Sequence, residues 1–246
     1  MIGLIGGSGL EDPKILQNSE EIVIETPHGA HSPIKIGTIN QVKVALVSRH
    51  GYKHEFSPTK VPYKANIFAL KMLACKAIIA TSACGSLRED IAPGTFSFPS
   101  QIIDRTTLRD QSFSTCGDVI HESMAEPFNA NLRNILVQTA KRIDCAYGSK
   151  TTLITIEGPR FSTRAESELF RSWNCDLINM TTVPEVFLAK EMKLPYQVIN
   201  LVTDYDCWHE GKVAVTFDEV MRIMQKNSEK VKKLIIEALP EIEKNF

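Results

Sequence analysis

Short runs of β-branched and aliphatic residues recur along this chain, and longer stretches with apolar positions three and four apart lie between several of them. The runs "IGLIG", "EIVIE", "VKVALVSR", "AIIATSA", "FSFPSQIID", "TLITIEG", "CDLINMT" and "YQVINLVTD" read as strands. The stretches "KANIFALKMLACK", "NANLRNILVQTAKRI", "TRAESELFRSW" and "PEVFLAKEMK" read as amphipathic helices. The tail from Thr216 to Phe246 reads as one long amphipathic helix with a break at Pro240, because an interior proline removes a backbone donor and crowds the preceding turn. Alternation of the two patterns predicts an α/β fold, a mixed sheet with helices on both faces. No repeat, low-complexity segment or Ser/Gly-rich linker interrupts it, so residues 1–246 are expected to form a single domain.

Composition narrows the function classes. The formal charge is −1 with both signs interspersed, so neither a basic face for nucleic acid nor a polybasic membrane patch is implied. Small-molecule partners are expected. No apolar run reaches the ~18 residues of a membrane span, and no charged segment precedes an apolar signal region, which leads to the expectation of a cytoplasmic protein. The six cysteines, Cys75, Cys84, Cys116, Cys145, Cys175 and Cys207, include no C-x-x-C pair. Neither zinc nor a disulfide framework is signalled, and most of these thiols are expected to be buried.

The first strand ends in Gly6-Gly7-Ser8-Gly9, a turn where backbone N–H groups could meet an anion. A dinucleotide fingerprint would need glycine where Asp12 stands, and no P-loop lysine follows. In open α/β sheets ligands bind beyond the carboxyl ends of strands. There the sequence places Ser8, Arg49-His50, Thr81-Ser82-Ala83, Glu157-Gly158-Pro159, Asn179-Met180-Thr181-Thr182 and Thr203-Asp204-Tyr205-Asp206. Hydroxyls, a guanidinium, an imidazole and two acids are what an anion site beside a polar heterocycle would require.

The ordered set "GGSGLED", "SRHG", "TSACGSL", "IDRTT", "MAEPF", "IEGPRFSTRAES", "NMTTVPE" and "TDYDCW" resembles the trimeric purine nucleoside phosphorylase family, within it the branch acting on 5'-methylthioadenosine. The resemblance runs from the first strand to about Val220. It implies a nucleoside phosphorylase fold with a mixed, partly barrel-like sheet, a homotrimer with sites near subunit interfaces, and no metal or organic cofactor, inorganic phosphate being a co-substrate. It implies phosphorolysis of 5'-methylthioadenosine to adenine and 5-methylthioribose 1-phosphate. Carried over by motif, Ser8, Arg49, His50, Ser82, the Ala83 N–H and Thr181 would hold phosphate. Asp204 would serve N7 as the catalytic acid, Asp206 the N6 amine and Ser162 the N1 edge, with Phe161 stacked on the base. Met180 would lie against the ribose, His121 would come from a neighbouring subunit, and Phe217 and Val220 would line the 5' pocket. Many relatives carry a smaller aliphatic residue at the place of Phe217, which implies a differently shaped pocket here. With the sequence ending at Phe246, no further closing residue is expected from a longer tail. The alternative is a purine nucleoside or methylthioinosine phosphorylase of 6-oxopurine preference. Such relatives carry Asn in place of Asp204 and Glu in place of Ser162.

Overall fold

A computed structural model describes residues 1–7, 15–209 and 216–246. In chain order the first half comprises β1 (Ile2–Gly6), β2 (Gln17–Ile22), β3 (Ile34–Ile39), β4 (Val42–Ser48), α1 (Tyr63–Met72), β5 (Ile78–Ser86), β6 (Phe96–Phe98) and β7 (Gln101–Arg105). The second half comprises α2 (Ala130–Arg142), β8 (Tyr147–Ser149), β9 (Thr152–Ile156), α3 (Arg164–Ser172), β10 (Leu177–Asn179), α4 (Thr182–Glu191), β11 (Tyr196–Asp204) and α5 (Phe217–Asn245).

Side-chain alternation along the central strands divides the core into two layers. Ile2 and Leu4 of β1, Val44 and Leu46 of β4 and Ile79 of β5 face α2 and α5, meeting Leu132, Leu136, Leu234 and Leu239. Their neighbours Ile5, Ala45, Val47, Ile78 and Ala80 face α1 and α4, meeting Ile67, Leu70, Val186 and Leu188. The helices therefore cover both faces, as the pattern predicts. Burial of this kind stabilises at about 25 cal/mol per Å2 of apolar surface.

Strand pairing also explains the barrel-like character. β5 lies parallel to β11, which lies antiparallel to β6. The chain passes from β6 through Pro99 and Ser100 into β7, which pairs with β9. β9 pairs with β10, and β10 returns antiparallel to β5, so this half of the sheet closes on itself. On the other edge of β5, β1 and β4 follow in parallel, then β3 and β2 antiparallel.

Several local expectations need correction. The run "EIVIE" does not form a strand as a whole; β2 begins earlier, at Gln17, with Glu20 opposite Ile36 and Ile22 opposite Ile34. Its residues are mostly exposed, which an edge strand tolerates, and pairing with β3 rather than its own apolar content sets its register. β3 itself, "IKIGTI", and the three-residue β8 are additional strands. The stretch "FSFPSQIID" is two strands divided at Pro99, since proline lacks the N–H a ladder needs. The tail helix continues through Pro240 to Asn245. The Ile236 carbonyl that proline leaves without its helical donor accepts from Asn40 Nδ2 at 3.3 Å. Of the six cysteines only Cys75, Cys84 and Cys175 are buried, Cys116 being exposed and Cys145 and Cys207 intermediate. Among the described residues no helix is long and apolar enough to cross a membrane.

Candidate active site

A cavity of about 210 Å3 opens where the carboxyl ends of β4, β5, β10 and β11 converge. Arg49, His50, Ser82, Ala83, Phe161, Ser162, Met180, Thr181, Asp204, Asp206, Phe217 and Val220 all line it. Two of the expected residues are not among them. Ser8 lies outside the described residues. His121 is exposed and does not line this cavity; its segment lies over the end of α4, where Lys190 Nζ donates to the Glu126 carbonyl at 2.8 Å.

At one end the donors of an anion cup gather. Arg49 follows β4 and is 1% exposed. Its Nε donates to Glu185 Oε2 and its Nη2 to Glu185 Oε1, both at 2.8 Å, while Nη1 donates to the Thr81 carbonyl at 2.7 Å. Burial works against the guanidinium charge, but Glu185 outweighs it and the pKa is raised. Ser82 Oγ stands 3.4 Å from Thr181 Oγ1, and Asn179 Nδ2 donates to Ser82 Oγ at 3.1 Å. Thr181 directly precedes α4, whose backbone departs from helical geometry at Val183 (φ −98°, ψ 133°), so at this point the cup gains the Thr181 hydroxyl and not a regular helix N-terminus. Gly7 makes the cup possible by lacking a side chain: a Cβ there would sit 2.5 Å from Arg49 Nη1 and 2.7 Å from the Thr81 carbonyl oxygen.

The other end is acidic. Thr203 Oγ1 donates to Asp204 Oδ2 at 2.7 Å, and the Asp206 N–H donates to Asp204 Oδ1 at 2.8 Å. Burial raises the Asp204 carboxyl to about 6; these two hydrogen bonds pull it down only in part, and the neighbouring Asp206 adds to the rise. Burial raises the Asp206 carboxyl as well, opposed by the Ser162 hydroxyl, whose Oγ lies 2.6 and 2.7 Å from its two oxygens. Gly85 lets the acid in, since a Cβ there would lie 2.8 Å from Asp204 Oδ1.

Between the ends, Met180 lies against Gly158, whose φ of +65° and contact with the Met180 side chain leave no room for a Cβ. One wall is aromatic: the His50 and His54 rings stack at 4.5 Å, and His54 meets Phe217 at 5.6 Å. Phe217 is 52% exposed at the rim.

Four contributors have no role assigned to them by the motif reading, although Thr203 stands in the strand-end set. His54 is held by a turn with φ of +58°, and Thr203 is turned toward Asp204 by the end of β11. Glu185 lies in the quoted "NMTTVPE" but beneath the cavity. Arg109 comes from the loop after β7: its Nη1 donates to the carbonyls of Met180 and Val183 at 2.7 and 2.6 Å, its Nη2 to the Glu157 carbonyl at 2.6 Å. Arg109 Nε also donates to Glu157 Oε1 at 3.0 Å. The Glu157 carboxyl is held down to about 2, because hydrogen bonds from Thr59, the Thr107 N–H and Arg109 outweigh the opposing effect of burial. The guanidinium thus ties the ends of β9 and β10 together under the cavity floor.

The family model of the phosphorylase superfamily matches residues 1–240 of this sequence. The chain belongs to this superfamily. Among curated proteins of the superfamily, an S-methyl-5'-thioadenosine phosphorylase of Xenopus tropicalis is 49% identical over 248 residues, covering 98% of this chain and 88% of its own length. One of Drosophila melanogaster is 48% identical over 249 residues, covering 99% and 86%. Among solved structures, the Schistosoma mansoni methylthioadenosine phosphorylase in complex with adenine superposes with a TM-score of 0.94 at 37% identity, covering 98% of this chain and 91% of that one. A methylthioadenosine phosphorylase sourced from an antarctic soil metagenomic library gives 0.93 at 41% identity, covering 99% and 86%.

Proposed function

We propose that this chain is a pentosyltransferase that cleaves 5'-methylthioadenosine with inorganic phosphate, giving adenine and 5-methylthioribose 1-phosphate. The observation that carries the reading is one cavity with a hydroxyl and guanidinium cup at one end and a carboxyl raised to about 6 at the other. Curated relatives near half identity bear that activity in their names.

Phosphate sits on Arg49, His50, Ser82, the Ala83 N–H and Thr181, with Ser8 completing the cup. Met180 lies against the ribose and Phe161 on the base. As the bond from C1' to N9 lengthens, the ribosyl carbon gains positive charge that the phosphate dianion stabilises, and the bonding pair flows into adenine. Asp204 gives its proton to N7, so adenine leaves neutral, and a phosphate oxygen forms the new bond to C1'. Burial suits Asp204 to this role, because a carboxyl near 6 carries a proton over part of the working range where an ordinary aspartate near 3.8 carries almost none. Asp206, oriented by Ser162, accepts from the N6 amine. A 6-oxopurine would set its oxygen against these acceptors, which favours adenine over the 6-oxo alternative.

Phe217 and Val220 bound the 5' group. The enzyme acts in the cytoplasm as a homotrimer in which His121 reaches a neighbouring chain's nucleoside; exposure of His121 away from its own cavity supports this. The scheme uses no metal or organic cofactor. A panel of methylthioadenosine, adenosine, inosine and methylthioinosine, each with and without phosphate, tests it. Phosphate-dependent release of adenine from methylthioadenosine is expected; release without phosphate, or preference for the 6-oxo substrates, refutes it.

A further inference from the structure

Glu185 is a buried carboxylate that the scheme above leaves without a part. It is 1% exposed, does not line the cavity, and stands in the first turn of α4, four residues beyond Thr181. Both its oxygens take N–H groups of Arg49 in a parallel fork at 2.8 Å, and Oε1 also accepts from the Tyr196 hydroxyl at 2.6 Å. Paired acceptors of this kind fix the plane of a guanidinium and not merely its position.

A donor count shows what the pairing leaves over. A guanidinium has five N–H groups. Glu185 takes the one on Nε and one on Nη2, and the Thr81 carbonyl takes one on Nη1. Among the described residues one N–H then remains on each terminal nitrogen, on a side chain that borders the cavity. The charge of Arg49 is meanwhile matched inside the protein before any ligand arrives. An anion entering this cup meets oriented donors but little net positive charge from Arg49.

We propose that Glu185 is a positioning residue that offsets the charge of Arg49, so that phosphate is gripped weakly enough to remain a competent nucleophile. The proposal rests on the phosphorolysis reading and on Arg49 as a phosphate ligand. The physical reason is differential binding: phosphate gives up negative charge to the ribosyl carbon as it attacks, so excess positive charge on Arg49 would hold the resting dianion more tightly than the attacking one, deepening the ground state and slowing the step. In a site shut off from water an uncompensated guanidinium would attract a dianion strongly, because Coulomb interaction is far less screened there.

The test is Glu185→Gln. Carboxamide geometry keeps one acceptor for the fork but removes the negative charge that Arg49 is paired with. In steady-state phosphorolysis with phosphate varied, the KM for phosphate should fall by about tenfold, kcat should fall with it, and the KM for methylthioadenosine should stay within about twofold. Thermal unfolding read against added phosphate should show a larger stabilisation in the variant than in the unaltered protein, since phosphate then supplies the missing partner. Tyr196→Phe breaks the same hydrogen-bonded chain without changing the charge, so it should lower thermal stability and leave the phosphate KM unmoved. An unchanged or raised phosphate KM in Glu185→Gln, or an equal shift in both variants, overturns the proposal. If Glu185→Gln does not accumulate folded, Glu185→Asp, whose carboxylate is withdrawn by one methylene, should show a smaller fall in phosphate KM, and no fall there overturns it equally. Adenine release that needs no phosphate in the unaltered protein would instead refute the phosphorolysis reading itself.

Discussion

Asp204→Asn should abolish most phosphorolysis and yet make the ligand-free protein more stable at pH 8. An ordinary aspartate ionises near 3.8, whereas burial holds Asp204 at about 6. Below 3.8 the folded and unfolded chains are both protonated at this position, and the raised pKa has no effect on their difference. As pH rises from there the unfolded chain releases its proton first, so the folded state loses relative stability through the window up to about 6, above which the loss is complete. At about 1.4 kcal/mol per unit, the full loss is on the order of 3 kcal/mol, and about half of it is present at pH 5.

Asparagine escapes this loss without forfeiting the local hydrogen bonds. Its Oδ1 can keep the Asp206 N–H at 2.8 Å. Its Nδ2, replacing Oδ2, can donate to Thr203 Oγ1, whose own hydrogen turns to the Cys84 carbonyl 3.2 Å away. Urea unfolding at fixed protein concentration, without phosphate or nucleoside, should therefore show the Asp204→Asn variant ahead by about 1.5 kcal/mol at pH 5 and about 3 kcal/mol at pH 8. A stability gap that does not change between the two pH values would mean that Asp204 is not a buried proton-binding acid. The same substitution should raise the ratio of kcat/KM for methylthioinosine over methylthioadenosine, because a carboxamide donates to a 6-oxo base but transfers no proton to N7.

Arg49→Ala should raise the phosphate KM strongly, a loss of roughly 2 to 5 kcal/mol, with a much smaller change in nucleoside KM; an unaltered phosphate dependence would remove Arg49 from the cup. Gly85→Ala should lower kcat far more than it raises the nucleoside KM, since the added Cβ would stand 2.8 Å from Asp204 Oδ1 and displace the acid, an effect absent if kcat is retained. Mixing inactive His121→Ala and inactive Asp204→Ala chains under conditions of subunit exchange should restore partial activity, and a mixture that exchanges but stays inactive would place His121 outside the neighbour's site.

Strand-end residues are legible in the sequence because period-two burial and the end-of-strand rule are local statements. Ser82, Thr181, Asp204 and Asp206 are found that way, and all reach one cavity. Glu185 is not legible because its partner Arg49 is 136 residues away, and a glutamate beginning a helix reads from sequence as ordinary N-terminal charge. Arg109 escapes for a similar reason: a lone arginine in a loop gives no hint that two carbonyls just past distant strand ends and a third in α4 await it. The carbonyl that Pro240 leaves open in α5 is met by Asn40, 196 residues earlier, a pairing that no local rule about proline could foresee. Local propensity thus locates the chemistry, while the buttresses that aim it arise from long-range pairing.

β5 acts as a molecular ruler. In the proposed scheme Ser82 and Ala83 serve the phosphate and Gly85 borders the acid, yet all stand on this one strand. Three residues of extended chain span about 10 Å, so the separation between nucleophile and leaving base is written into covalent geometry and varies little with breathing of the surrounding helices. A residue inserted between Ser82 and Gly85 would lengthen the gauge and turn every later side chain to the opposite face. The 5' wall of that scheme, by contrast, is Phe217 and Val220, which line the cavity from a separate helix, α5. Variation there can re-tailor which 5' substituent is accepted while the gauge that brings phosphate to the glycosidic carbon stays untouched.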